Sequence, residues 1–279
     1  MPTKMLSKKL KKGDKMLEGN VDTSFAFSWG NATHLADCAA FAYQQPLTGR
    51  KIAKEAGYTD CKYFNKDGAQ GYGLAKDNYI ILAFRGTEPK EKSDVVADLK
   101  AWKSSSKYKG RVHAGFKDEV MKIMDQVETF VAKHEGKSIF VCGHSLGAAM
   151  ATIVTTRLAQ KPMATYTYGS PRVGNRKFAH HFDNDYTCYR FVNNNDIVTA
   201  VPGPIMYDHV GKLHYISYKK TIHTGMATNP LRRFWDKLSG LLRAWRKGEI
   251  FDHVYDHDIT RYHKAIAKHA GRSPPHRPI

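Results

Sequence analysis

The chain contains no apolar run of about 18 residues, so no segment reads as a transmembrane helix. Its opening stretch, MPTKMLSKKLKKGDKMLEGN, lacks the apolar core of a secretory signal and reads as a solvated basic arm over residues 1–20. The expected location is therefore cytoplasmic, or exported without a recognisable signal, with peripheral membrane association left open. Cysteine is scarce. Cys38, Cys61, Cys142 and Cys188 show no C-x-x-C spacing, which removes the usual signature of a redox or zinc pair. Reduced thiols are the default reading, with a disulfide left open, and Cys142 and Cys188 lie in apolar strand-like runs as small core residues. Internal repeats and long low-complexity linkers are also missing. A chain of 279 residues with 42% hydrophobic content fits one large α/β domain over 21–270, followed by a proline-broken tail, 271–279.

Acidic residues are the other deficit. There are 26 Asp and Glu against 44 Lys and Arg, a formal net charge of +18 with a pI near 9.6. Such a surface attracts polyanions, either nucleic acid or anionic lipid. RNP, zinc-finger and basic-zipper patterns are all absent, and the aromatic residues are not interleaved with basic ones, so no specific nucleic-acid partner is expected. An anionic membrane surface remains open, and oligomeric state cannot be read from the sequence.

What is present is an alternation of helical and extended patterns. Trp29 to Tyr43 has helical apolar spacing, and a short helix is expected after a Thr48 cap. Lys62–Phe64 and Gly71–Leu74 read as a hairpin, and Asn78 to Phe84 as a central strand. Helices are expected over 116–132, 145–160 and 174–182, with two more near 230–246 and 258–269. Strands are expected at 138–142, 164–168, 187–192 and 212–218. The pattern predicts a mostly parallel sheet with an antiparallel start, covered by helices on both faces.

One stretch carries chemistry. In IFVCGHSLGAAMATIV, residues 139–154, a strand-type run meets a helix-type run at Gly143-His144-Ser145-Leu146-Gly147. A serine at such a corner lifts its hydroxyl clear of the backbone, and Gly-x-Ser-x-Gly between strand and helix is the nucleophile-elbow pattern. A serine nucleophile needs a base, and the base needs an orienting carboxylate. Asp196 follows the strand YRFV and the run Asn193-Asn194-Asn195, at the carboxyl end of a strand where open α/β sheets bind ligands. Asp183 and Asp185, read as a loop, and Asp208 are its rivals. Among the histidines after Asp196, His257 stands at a loop-to-helix junction where Asp258 can cap the helix, whereas His263 and His269 fall inside that helix. The spacing of His253 and His257 lacks a third ligand, so no metal is expected. An oxyanion needs donors, and Leu146 N–H follows the serine. A glycine run of the HGGG type is missing; Phe84-Arg85-Gly86-Thr87 ends the central strand instead and offers Thr87.

These segments appear in one order: FRGT, His113-Ala-Gly-Phe116, GHSLGAA, YGSPRVGN, NNNDIV and DHDITRY. Together they resemble the class 3, fungal-type lipases over about residues 30–265. The resemblance implies an α/β-hydrolase fold, catalytic Ser145, Asp196 and His257, an oxyanion hole from Thr87 and Leu146, and no cofactor. Arg85 and Asp98 look like a structural charged pair. Thr199 stands where many relatives have proline, with Pro202 beyond.

Fungal relatives carry a short lid after the oxyanion loop. The matching segment here, Glu88 to Val96, begins polar, so weak interfacial activation or a different cover is expected. In LRRFWDKLSGLLRAWRK, within 229–248, Leu231, Phe234, Trp235, Leu238, Leu241, Leu242 and Trp245 form one helical stripe beside basic residues. Such a helix suits an anionic membrane, a lid, or plain packing onto the core. Val95, His144, Phe234, Trp235 and Leu238 are the candidate substrate or lid residues. The expected activity is hydrolysis of lipid esters at an interface through an acyl-enzyme. Phospholipase A-type action on anionic membranes, and a non-catalytic lipid-binding protein on the same scaffold, are the alternatives.

Overall fold

A computed structural model describes residues 16–86, 103–105, 110–225 and 257–271. The expected strands and helices alternate as the sequence pattern predicts. Helices α1 (Trp29–Phe41) and α2 (Pro46–Glu55) precede three strands, β1 (Asp60–Lys66), β2 (Ala69–Lys76) and β3 (Tyr79–Phe84). A two-stranded ribbon, β4 (Lys103–Ser105) with β5 (Arg111–His113), leads into α3 (Ala114–Lys133). Then come β6 (Ser138–His144), α4 (Leu146–Thr155), β7 (Ala164–Tyr168), α5 (Arg176–Asp185) and β8 (Cys188–Asn193). A 3-10 turn (Val198–Ala200) follows β8, and strands β9 (Lys212–Ile216) and β10 (Ile222–Thr224) and helix α6 (Ile259–Ala270) complete the described elements.

The main sheet has eight strands in the order β1-β2-β3-β6-β7-β8-β9-β10. Neighbours from β3 to β9 run parallel, while β1, β2 and β10 pair antiparallel at the two edges. All six residues of β3 are buried, because helices cover both faces of the sheet. Strand alternation sorts them: Ile81 and Ala83 join the core under α1 and α6 with Phe140, Tyr168 and Phe191. Ile80, Leu82 and Phe84 join the opposite core with Val120, Ile123, Ile153 and Phe182 from α3, α4 and α5. Burying a large apolar side chain of this kind contributes roughly 1.5–3 kcal/mol, so each helix is fixed chiefly by its sheet-facing stripe.

Four local expectations change. Helix α2 begins at Pro46 rather than after Thr48, because proline supplies a preset φ at the first helical position. Helix α4 stops at Thr155 and not near 160. The β-branched run Ile153-Val154-Thr155-Thr156 weakens continuation, and Met163 N must reach Ile139 O to start β7. Helix α5 extends through Asp185, so the stretch read as a loop is helical; Asp183 turns back to accept the N–H of Gly211 at 2.7 Å. Strand β10, three residues long behind a turn with Lys220 at φ 58°, escaped the pattern. All four cysteines are free, and Cys38, Cys142 and Cys188 are buried. Among the described residues no helix is long and apolar enough to cross a membrane. The expected arm and the helix within 229–248 lie mostly or wholly outside the described residues, as does all but Gly271 of the tail.

Candidate active site

The parallel strands deliver their carboxyl ends to one edge, and the site is assembled there. Ser145 links β6 directly to α4 with φ 60° and ψ −129°, a conformation that costs a non-glycine residue roughly 1–3 kcal/mol. Neighbouring bonds hold it: Ser145 N–H donates to Tyr168 O at 3.1 Å, and Ser145 O accepts from Ala148 N at 3.0 Å. The close approach of β3 requires Gly147. A Cβ there would sit 2.1 Å from Phe84 O, so only glycine lets the end of β3 reach the start of α4.

Three side chains from distant parts of the chain meet over this corner. Ser145 Oγ is 2.8 Å from His257 Nε2, and His257 Nδ1 is 3.0 and 2.9 Å from the two carboxylate oxygens of Asp196. The carboxylate only accepts, so Nδ1 carries the proton and Nε2 presents a lone pair to the serine hydroxyl. Asp196 is 1% exposed and lies just past β8. Its Oδ1 also accepts from Val198 N at 2.9 Å, and its Oδ2 from the Tyr262 hydroxyl at 2.5 Å. Both oxygens of this buried carboxylate therefore have hydrogen-bond partners. His257 immediately precedes Asp258, whose carboxylate accepts from Thr260 N at 2.8 Å and caps α6, as the sequence suggests.

The rivals lie elsewhere. Asp208 is bonded to His209 N and faces Arg176 at 3.9 Å. His263 pairs with Asp37 at 3.1 Å, and the His269 ring packs edge-on to Trp29. Among the described residues, no three His, Cys, Asp or Glu side chains come together as metal ligands.

Leu146 is the first residue of α4, where an N–H has no acceptor within the helix and points outward. Thr87, the second expected donor, lies outside the described residues, although Gly86 beside it is placed within reach: a Cβ on Gly86 would come 3.1 Å from Ser145 Cβ. A cleft of about 280 Å³ is lined by Gly86 and Leu146 together with Gln70, Arg85, Glu119 and Met150. Asp98, Val95, Phe234, Trp235 and Leu238 lie outside the described residues too. Arg85 Nη1 is 2.6 Å from Gln70 Oε1, and its guanidinium stands 5.5 Å from the Tyr43 ring centroid.

His144 needs correction as a substrate or lid residue. It is 6% exposed and faces inward, with Nε2 2.6 Å from the His257 carbonyl oxygen and Nδ1 3.1 Å from the Tyr43 hydroxyl. Burial, reinforced by the charge of His257, pushes its pKa well below the ordinary histidine value. Two tyrosines at the site were missed. Tyr262 stands inside DHDITRY, and its signal was a tyrosine a turn past the helix cap. Tyr43 comes from the chain just past α1, 101 residues before His144, and gave no local signal. Gly169 was missed as well: at φ 60°, a Cβ there would lie 2.7 Å from Asp196 Oδ2 and 3.1 Å from the His257 ring.

Comparison with known proteins agrees with this architecture. The signature of the family described as Lipase (class 3) matches residues 81–206. The chain is 27% identical over 209 residues to toxin TseL of Vibrio cholerae, covering 57% of this chain and 32% of that protein. It is 32% identical over 157 residues to secreted mono- and diacylglycerol lipase A of Penicillium camembertii, covering 50% and 48%. The solved structure of lipase II from Rhizopus niveus superposes with a TM-score of 0.56 at 27% identity, covering 66% of this chain and 78% of that one. The chain thus spans a third to a half of the length of these two curated relatives. With its parallel sheet and its serine corner the chain has the α/β-hydrolase fold, and its residues 81–206 carry the class 3 lipase signature.

Proposed function

We propose that this chain is a serine hydrolase that cleaves carboxylic esters of lipids, with acylglycerols as its first substrates. The observation that carries the reading is the unbroken hydrogen-bonded chain from Ser145 Oγ through His257 to Asp196. In this reading His257 Nε2 takes the serine proton as Oγ attacks the ester carbonyl. The resulting oxyanion is held by the Leu146 N–H, with Thr87 as the second donor. His257 then returns the proton to the leaving alcohol, and the acyl group remains on Ser145. Water, deprotonated by the same imidazole, releases the acid. Asp196 fixes the tautomer and balances the imidazolium. Val95, Phe234, Trp235 and Leu238 are the residues we assign to covering or contacting the acyl chain.

The net charge of +18 favours a second reading, phospholipase A-type action at anionic bilayers, because such a surface concentrates the protein on acidic headgroups. A panel of p-nitrophenyl esters, an emulsified triglyceride and phosphatidylglycerol vesicles, run beside Ser145→Ala, separates the readings. Ester hydrolysis that is lost in Ser145→Ala supports the enzyme. Hydrolysis confined to phosphatidylglycerol selects the phospholipase, and binding to vesicles with no turnover in either protein selects a lipid-binding module.

A further inference from the structure

His144 sits one residue before the nucleophile, yet it is engaged with the base. Its ring centroid lies 4.5 Å from that of His257, with 33° between the planes. Its Nε2 is 2.6 Å from the main-chain oxygen of His257, and its Nδ1 is 3.1 Å from the Tyr43 hydroxyl. A carbonyl oxygen can only accept, so Nε2 carries the proton. Buried this deeply the ring stays neutral, which leaves Nδ1 as a bare lone pair, and the Tyr43 hydroxyl must therefore donate. The tautomer is thus determined from both sides by groups that come from different parts of the fold.

The consequence falls on His257. Its Nδ1 is gripped by Asp196, but a ring held at one edge still pivots unless the main chain beneath it is fixed. The carbonyl of His257 is the last acceptor before the α6 cap at Asp258, and His144 holds it from β6, the same strand that presents Ser145. One rigid strand therefore locates both the nucleophile and the base that serves it. Errors of about 1 Å in such a pair cost on the order of a hundredfold in rate. The neutral ring also offers its π face to the imidazolium formed during acylation, whereas a cation in that place would oppose it.

We propose that His144 is a positioning residue for His257, and that Tyr43 sets its tautomer. The proposal rests on the esterase reading above. Full-length wild type, His144→Phe, His144→Gln and Tyr43→Phe are compared on p-nitrophenyl butyrate below its solubility limit, with active sites counted by fluorophosphonate titration. Phenylalanine keeps the stacked ring without either nitrogen, while glutamine offers a donor and an acceptor of similar reach. For His144→Phe, kcat per active site is expected to fall about 30- to 100-fold with KM within about threefold. Glutamine should restore it to within about tenfold of wild type, and Tyr43→Phe should lose about three- to tenfold. A role in folding alone would lower the number of titratable sites and the melting temperature while leaving kcat per site unchanged, and that result overturns the proposal. So does a His144→Phe kcat within about threefold of wild type, or a glutamine variant as slow as phenylalanine. If neither His144 variant folds, Tyr43→Phe decides, and a kcat within about twofold of wild type counts against the proposal. Wild type inactive on every ester removes the esterase reading and this proposal with it; active wild type beside unaffected variants removes this proposal alone.

Discussion

The hydroxyl of Tyr262, on the first turn and a half of α6, lies 2.5 Å from Oδ2 of Asp196 and accepts the N–H of Asn193 at 3.0 Å. One phenol therefore ties the helix that follows the histidine to the strand that precedes the acid. The ring is wholly buried against Tyr168, so the hydroxyl has little freedom to turn elsewhere.

Tyr262→Phe removes that tie and leaves the Asn193 N–H without its acceptor. Loss of a buried bond of this kind costs about 1–3 kcal/mol, read as a lower urea midpoint. Because Asp196 keeps Val198 N and His257 Nδ1, turnover should fall by only about three- to tenfold. A variant as stable as wild type would show that the phenol does not hold these elements together.

Gly169→Ala should cost far more activity than stability. Its φ of 60° penalises any Cβ by roughly 1 kcal/mol, and the added methyl would press on Asp196 Oδ2 and the His257 ring. The expected outcome is a folded protein with kcat reduced about a hundredfold or more. Circular dichroism paired with esterase assay checks this, and unchanged turnover would mean the histidine tolerates displacement.

Acid should weaken the fold through buried histidines. Burial brings the pKa of His34 and His214 down to about 4, with nearby Asp37 opposing the shift at His34 only in part. In the unfolded chain both return to about 6.5, so between those values the unfolded state binds more protons and stability falls as pH falls. Nothing is lost above about pH 6.5, and the loss grows to roughly 3 kcal/mol for each ring once pH passes below the folded value. Urea midpoints should drop between pH 7.5 and 5. His214→Phe, which keeps an aromatic ring beside Phe27 and Phe191, should flatten the slope. A midpoint independent of pH over that window would contradict this.

Thiol titration tests the core. Cys38, Cys142 and Cys188 are buried, and burial raises the half-buried Cys61 to about 11, so native protein should react slowly and at Cys61 alone. In denaturant all four should titrate. Rapid reaction of two or more native thiols would show a looser core than the packing here.

Much of this was legible along the chain because period and composition act locally. Apolar runs marked β3, β6, β7 and β8, and Asp258 announced the cap that sets His257 at a helix start. The glycine-bounded serine could be placed because strand, corner and helix are contiguous in sequence. What remained hidden was lateral. Tyr43 reaches His144 only after α1 docks on the sheet, and the role of His144 reversed because its inward direction is set by packing, not by neighbours in the chain. The antiparallel edge strand β10 is too short to carry a periodic signal. Thr87, Val95 and the stripe from Phe234 to Leu238 lie outside the described residues, so their expected roles rest on sequence and resemblance.

The most direct test of the central claim is peptide mapping after reaction with a fluorophosphonate. The hydrogen-bonded chain through His257 predicts one adduct per molecule, on Ser145, absent from Ser145→Ala and formed at least about a hundredfold more slowly in His257→Ala. Equal labelling of all three proteins, or no adduct on folded wild type, would show that this serine is not activated and would remove the proposed chemistry.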